Sequence, residues 1–360
     1  MTGVRREWTG ALELEVTGED GDPFRAIAYP ALVGRPEVGD TVLLSTGALA
    51  LGLGTGGCAF VVALPDRLPP DADVAGHLVK ARYTPLQTIV AGADEQDSPF
   101  HGTFGTFTAG LDGMSGARLD GMPVVIADLH SALPAVCAGL LADRPDARIA
   151  YVMTDGGALP LWFSRTVAGL RGSGTLAGTV TTGQAFGGDL ETSTLHNGLL
   201  AARHLLAADV AIVTQGPGNL GTGTPWGYSG IACGEAVNAA AVLDGRPIAA
   251  LRVSEADARD RHRPLSHHSL TAYGRVALAR ADVPLPDAGG PFWAAVAEQA
   301  SVLAGRHTLV SVDVAGLDAA LRASPVPLNT MGRGLDADYA AFLASACAGR
   351  HAARLIPGPA

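Results

Sequence analysis

The chain has 360 residues, 48% of them hydrophobic and 17% charged, with a formal net charge of −10 at pH 7. This composition can bury a large core and argues against disorder, while the acidic balance disfavours nucleic acid and anionic membrane surfaces as partners. The length predicts two domains.

Lys80 is the only lysine, so any Schiff base or P-loop chemistry has to use it. Cys58, Cys137, Cys233 and Cys347 lack the paired spacing of a zinc site. The charged start carries no apolar run, and the longest uncharged stretches, Thr41–Pro65 and Val210–Gly234, are broken by glycines. A cytoplasmic protein with buried thiols and no membrane span is the expectation.

Residues 1–65 predict an N-terminal β domain. Ala11–Val16 alternates apolar and acidic residues, Phe24–Tyr29 is its return strand, and Thr41–Ser45 and Cys58–Ala63 follow. Short strands with glycine turns suggest a small barrel-like or sandwich arrangement. Residues 66–121 read as linker and crossover, proline-rich at first and then a glycine- and threonine-rich loop over Gly102–Gly121.

From residue 122 to 350 strands alternate with helices. Strands are predicted at Val124–Leu129, Arg148–Thr154, Thr175–Thr182, Asp209–Thr214 and Pro247–Ser254. Helices are predicted at Ala132–Ala142, Leu159–Leu170, Ser193–Leu206 and Ile231–Leu243. This is the pattern of an α/β fold with a doubly wound, mostly parallel sheet. Helices at Pro291–Ala304, Leu317–Ala323 and Asp336–Ala348 and a strand at Thr308–Val314 complete the domain, and residues 351–360 form a tail.

Ligands bind such sheets at the carboxyl ends of the strands. The residues found there are Asp128 and His130, Asp155, Asp189 and Gln215. Asp128 and His130 lie two positions apart at the end of the first predicted strand, which places both side chains on one face, as an acid/base or metal-binding pair. Asp155 and Asp189 carry the alternative of simple turn and cap residues. A converging metal set of Asp128, His130, Asp189 and His196 is a further possibility.

The strongest local signal is the loop Gln215–Gly230, which contains Gln215, Gly216, Gly218, Asn219, Gly221, Thr222, Gly223, Thr224 and Ser229. It lies between a predicted strand and helix, where backbone N–H groups favour an anion. It matches G-x-G-x-x-G formally, but nine more loop residues precede the helix, and no lysine makes it a Walker loop. Beyond the fifth strand, Arg261, His267 and His268 belong to a run of three arginines and three histidines, suited to an anionic ligand or to a solvated interface.

Seven stretches together resemble one family: Val38–Leu44 (VGDTVLL), Gly52–Gly57 (GLGTGG), Gly76–Gln87 ending in RYTPLQ, Tyr151–Gly156, Phe186–Glu191 (FGGDLE), the QGPGNLGTGT loop, and Ser266–Leu270. The family is an uncharacterised bacterial one, labelled only as a domain of unknown function. The resemblance spans nearly the whole chain and implies no activity or cofactor.

Three readings stand on the residues: an enzyme, hydrolase or transferase, acting on a small anionic molecule that bears a phosphate or a carboxylate; a non-catalytic ligand-binding or regulatory protein; and an assembly protein forming homo-oligomers. No cofactor or metal is specified by the pattern.

Overall fold

A computed structural model describes residues 1–53, 56–70, 75–107, 114–115 and 117–357. Parts of the GLGTGG motif, of the proline-rich linker, of the Gly102–Gly121 loop and of the tail lie outside the described residues.

The N-terminal part forms a mixed sheet of β1 (Gly3–Trp8), β2 (Ala11–Thr17), β3 (Pro23–Ala28), β4 (Leu43–Ser45) and β5 (Ala59–Ala63), in the order β1-β2-β3-β5-β4. Two single-turn helices, α1 (Pro30–Val33) and α2 (Gly47–Ala50), connect its strands. The sheet is β structure as expected, but it is open: no pairing among the described residues joins β1 to β4. The alternation in β2 buries Leu12, Leu14 and Val16 in a core of their own with Ala26, Ala59 and Val61. The opposite face, through Ala11, Ile27, Tyr29 and Phe60, packs on Trp162 and Phe163 of the following α/β part.

The crossover segment holds two small antiparallel pairs, β6 (Leu78–Lys80) with β7 (Thr88–Val90) and β8 (Thr106–Phe107) with β9 (Met114–Ser115). Lys80 is buried, donating to the carbonyls of Gly183 (2.8 Å) and Ala185 (3.0 Å) and lying 3.5 Å from Glu191. The sole lysine thus ties this segment to the edge of the main sheet.

That sheet has eight parallel strands: β10 (Pro123–Ile126), β11 (Ile149–Thr154), β12 (Gly178–Thr181), β13 (Leu190–Glu191), β14 (Val210–Gln215), β15 (Arg246–Ala249), β16 (Asp282–Asp287) and β17 (Thr308–Asp313). Their order is β13-β12-β11-β14-β10-β15-β16-β17. All six residues of β14 are buried, because helices cover both faces and leave no solvated side to alternate toward.

On one face lie α3 (Leu133–Asp143), α4 (Arg165–Gly172) and the C-terminal helix, named below. On the other lie α5 (Leu195–His204), α6 (Ala232–Val242), α7 (His267–Thr271) and α8 (Gly290–Ala300). After the short α9 (Leu317–Arg322) and the hairpin β18 (Asn329–Thr330) with β19 (Arg333–Gly334), α10 runs from Tyr339 to Leu355. It therefore starts later than expected and absorbs the start of the predicted tail. Gly139 of α3 and Gly349 of α10 let these helices touch backbone to backbone: an added Cβ on Gly349 would collide with the Val136 carbonyl, and one on Gly139 with that of Ala346.

Two strands depart from the expected pattern. β13 is a two-residue strand within a predicted loop, and β16 contains Pro284 and Pro286. Alternate positions of a strand address the same neighbour, so both prolines withhold their N–H from one side. The ladder to β15 is a single residue pair, whereas that to β17 is complete. The predicted helix over Leu159–Leu170 is instead a single turn at Leu161–Phe163 followed by α4, because Ser164 accepts from Val167 N and caps a new helix.

Candidate functional site

Helices following β10 and β11 pass to one face, and those following β14 and β15 pass to the other. A crevice therefore opens at the carboxyl ends of β11, β14, β10 and β15, the switch region where α/β sheets bind ligands.

Asp128 stands in this crevice. Its Oδ2 accepts from Nδ1 of His268 (3.2 Å) and Nη1 of Arg252 (3.4 Å). Burial alone would push this carboxyl upward, but Arg252 and His268 outweigh that and hold it below its usual range. Gln215, the last residue of β14, donates through Nε2 to the Asp128 carbonyl at 2.7 Å and so bridges two strand ends. Its Oε1 is buried without a partner. Asn219 Oδ1 accepts from Ser229, while Asn219 Nδ2 is likewise buried and unpartnered. Gly230 accommodates this approach, since a Cβ there would press on Asp128 and Asn219 together.

The third element is α7. Ser266 caps it, accepting from His268 N, and presents His267 and His268 from its first turn. His268 stacks on Tyr228, with ring centroids 3.7 Å apart, and Tyr228 donates to the His268 carbonyl at 2.8 Å. Buried His262 places Nδ1 2.7 Å from Ser266 Oγ. One ligand atom from each of His262, His267 and His268 lies within 4.8 Å of the others, the one such group among the described residues. Burial above all pushes His262 down to about 3, so its imidazole is neutral near pH 7, and burial lowers His267 as well. His267 Nε2 is buried and unpartnered.

Behind this cluster is a cavity of about 30 Å³, lined by Asp128, Arg252, Ser254, Asp257, Arg333 and Asp338, with room for a buried water. Its charges balance. Asp257 accepts from Arg259 (2.8 Å) and lies 3.5 Å from Arg333 and 4.0 Å from Arg252, and Asp338 lies 2.9 Å from Arg333. The hydrogen bonds from Arg259 hold Asp257 well below the ordinary carboxylate range.

In front, a larger cleft of about 730 Å³ separates the N-terminal sheet from the glycine loop. Tyr29, Phe60, Leu86, Phe163 and Phe186 make it apolar, and Gly218, Asn219 and Gly221 form one wall. Asn219 thus belongs both to the cleft and to the polar cluster.

The expected residues divide clearly. Asp128, Gln215, Asn219, His267 and His268 meet. His130 does not join them: β10 ends at Ile126, so the two-residue periodicity no longer applies, and His130 turns inward between Tyr151 (2.9 Å) and Ser164 (2.7 Å). Burial lowers it to about 4. Asp155 accepts from Gln184 N, and Asp189 accepts from Thr179 and pairs with Arg171, the turn-forming alternatives. His196 is exposed and Asp189 lies among these other partners, so the metal set with Asp128 and His130 does not form.

Thr222, Thr224 and Ser229 spend their hydroxyls inside the loop. Thr222 lies 3.0 Å from Thr224, Gly227 N donates to Thr224, and Leu220 N donates to Ser229. Gly216 packs on Ala158, and Gly218 and Gly223 adopt φ of 90° and 77°. Arg261 is exposed. Arg252, Tyr228 and His262 join the site without a strong signal in the sequence. Arg252 reads as an ordinary residue of a predicted strand, and His262 is linked to His267 only by the turn between them.

The family model described as protein of unknown function (DUF3866) matches residues 25–349, and the chain belongs to that family. No curated protein and no solved structure matches it. Among the described residues no helix is long and apolar enough to cross a membrane.

Proposed function

We propose that this member of the family is a small-molecule enzyme, a hydrolase or group transferase acting on an anionic ligand, with its reactive centre at Asp128, Gln215, Asn219, His267 and His268. One observation carries the reading. Four buried side-chain atoms have no partner among the described residues, and three of them, Gln215 Oε1, Asn219 Nδ2 and His267 Nε2, belong to residues grouped around Asp128 and His268. An unsatisfied buried polar atom costs roughly 1–3 kcal/mol, so their gathering is best explained by a ligand that satisfies them.

The division of labour follows from the surroundings. The apolar cleft takes the body of the ligand, and Asn219 and Gln215 meet its polar group at the inner end. Activation of water or of an acceptor hydroxyl falls to the imidazoles, with Asp128 fixing which nitrogen of His268 faces the site. Gly218, at a positive φ with open space around it, lets the loop backbone approach the ligand.

The test is thermal stability against nucleotides, sugar phosphates and carboxylates, followed by turnover assays on every compound that raises Tm. The enzyme reading expects turnover that falls at least about 100-fold in Asp128→Asn, an effect near 2.7 kcal/mol. Binding without turnover, unchanged in that variant, would instead mark a non-catalytic ligand-binding protein.

A further inference from the structure

We infer that His262, His267 and His268 bind one divalent transition-metal cation, with Zn2+ as the best-suited ion, and that the imidazoles of the proposed reactive centre act through it. Three ligand atoms within 4.8 Å of one another need only small side-chain rotations to reach the nitrogen–nitrogen spacing of about 3.3 Å set by Zn–N bonds of about 2.0–2.1 Å in a tetrahedron.

The surroundings of each ring favour a metal over a proton. His262 Nδ1 faces Ser266 Oγ, and His268 Nδ1 faces the Asp128 carboxylate. Each contact engages Nδ1, with Arg252 Nη1 also 3.1 Å from that of His268, and leaves Nε2 open to ligate, the arrangement by which oxygen groups behind metal-bound histidines fix their orientation. His267 Nε2 is already buried with no partner. Stacking on Tyr228 and the Ser266 cap hold His268 in place.

Adjacent histidines diverge on a strand, but His267 and His268 open a helix, and the preceding turn brings His262 back to them. Three imidazole nitrogens suit Zn2+ and leave a fourth position for water or an anionic oxygen.

The cation also resolves a charge problem. Arg252, Arg259 and Arg333 are each paired with Asp128, Asp257 or Asp338, so little positive charge is left over for an anionic ligand. A bound cation beside Gln215 and Asn219 would provide it. This catalytic part rests on the enzyme reading above, whereas binding of the metal does not.

The experiment is titration of the chelator-stripped full chain with Zn2+ alone against a chromophoric competitor, with Co2+ substitution read by visible absorption. The expected result is one ion per chain, intense Co2+ bands of a tetrahedral nitrogen site, and at least 100-fold weaker binding in His267→Ala. Because His267 is only half-buried, that variant should keep its metal-free Tm. His262→Gln serves as a second ligand variant, and Asp128→Asn should weaken binding about 10- to 100-fold through His268. Wild-type chain that binds no Zn2+, binding equally tight in both ligand variants, or near-ultraviolet thiolate bands would each overturn the site. Stoichiometric Zn2+ without turnover of any ligand leaves the metal site standing and removes only the enzyme reading. Turnover undiminished after stripping keeps the enzyme reading and overturns the catalytic part of this inference, that the imidazoles act through the metal.

Discussion

Asp128 Oδ2 lies 3.2 Å from Nδ1 of His268, a residue 140 positions further along the chain. The contact joins the turn after β10 to the first turn of α7, and Arg252 Nη1 approaches the same imidazole nitrogen at 3.1 Å.

In the metal-free protein His268 should carry its proton on Nδ1, held by the Asp128 carboxylate, with Nε2 bare. Free histidine prefers the opposite tautomer. Long-range proton–nitrogen NMR of labelled protein distinguishes the two, and a protonated Nε2 would contradict the arrangement.

Acid should destabilise the protein through His130. Its folded pKa, near 4, lies below the ordinary imidazole value of 6.5 because the ring is buried among Tyr151 and Ser164. A depressed folded pKa means the neutral ring is the form that fits. Its contribution is present above about pH 6.5 and is lost as pH falls toward 4, amounting to roughly 3 kcal/mol at 1.36 kcal/mol per pH unit. Denaturant melts at pH 7 and pH 4.5 should show the loss, and His130→Asn should reduce the difference.

Replacing Lys80 by Met should cost about 3–5 kcal/mol, because it strands the buried Glu191 carboxylate and removes a donor from two carbonyls. Burial raises Glu191 and lowers Lys80, so each charge tolerates the interior through the other. The double variant with Glu191→Gln should recover part of the loss. A double variant no more stable than Lys80→Met would argue that the pair is not coupled.

Gly349→Val should destabilise by about 2 kcal/mol or more, on the order of a strained overpacked core. A Cβ there meets the Val136 carbonyl on α3, which backbone cannot yield cheaply. An unchanged Tm would mean that α3 and α10 are not in backbone contact.

Gly218→Val should separate stability from binding. The position has φ of +90° and open space around it, so the strain is about 1–3 kcal/mol, while the new side chain enters the cleft. Any ligand found by thermal shift should lose its stabilising effect. Retained binding would move the ligand off this loop.

Much of the fold is legible in the amino-acid sequence. Continuous apolar runs such as Val210–Thr214 occur where a strand is covered on both faces, and helices between them specify a parallel sheet. Gln215 and Asp128 are legible as site candidates by the same logic, because strand ends gather at one edge. β16 is hidden, since Pro284 and Pro286 read as breakers and only the nearly absent ladder to β15 explains how a strand tolerates them.

Composition, periodicity and turn chemistry are local properties, and they determined the α/β class and the residues at the strand ends. Tertiary structure decided which of those residues meet. It turned His130 into the interior, spent Asp155 and Asp189 on turns, and closed the hydroxyls of the glycine loop on themselves. It also brought His262, His267 and His268 beside Asp128. Such a meeting depends on the crossing of distant segments and on the direction of each side chain after its strand ends, neither of which spacing along the chain encodes.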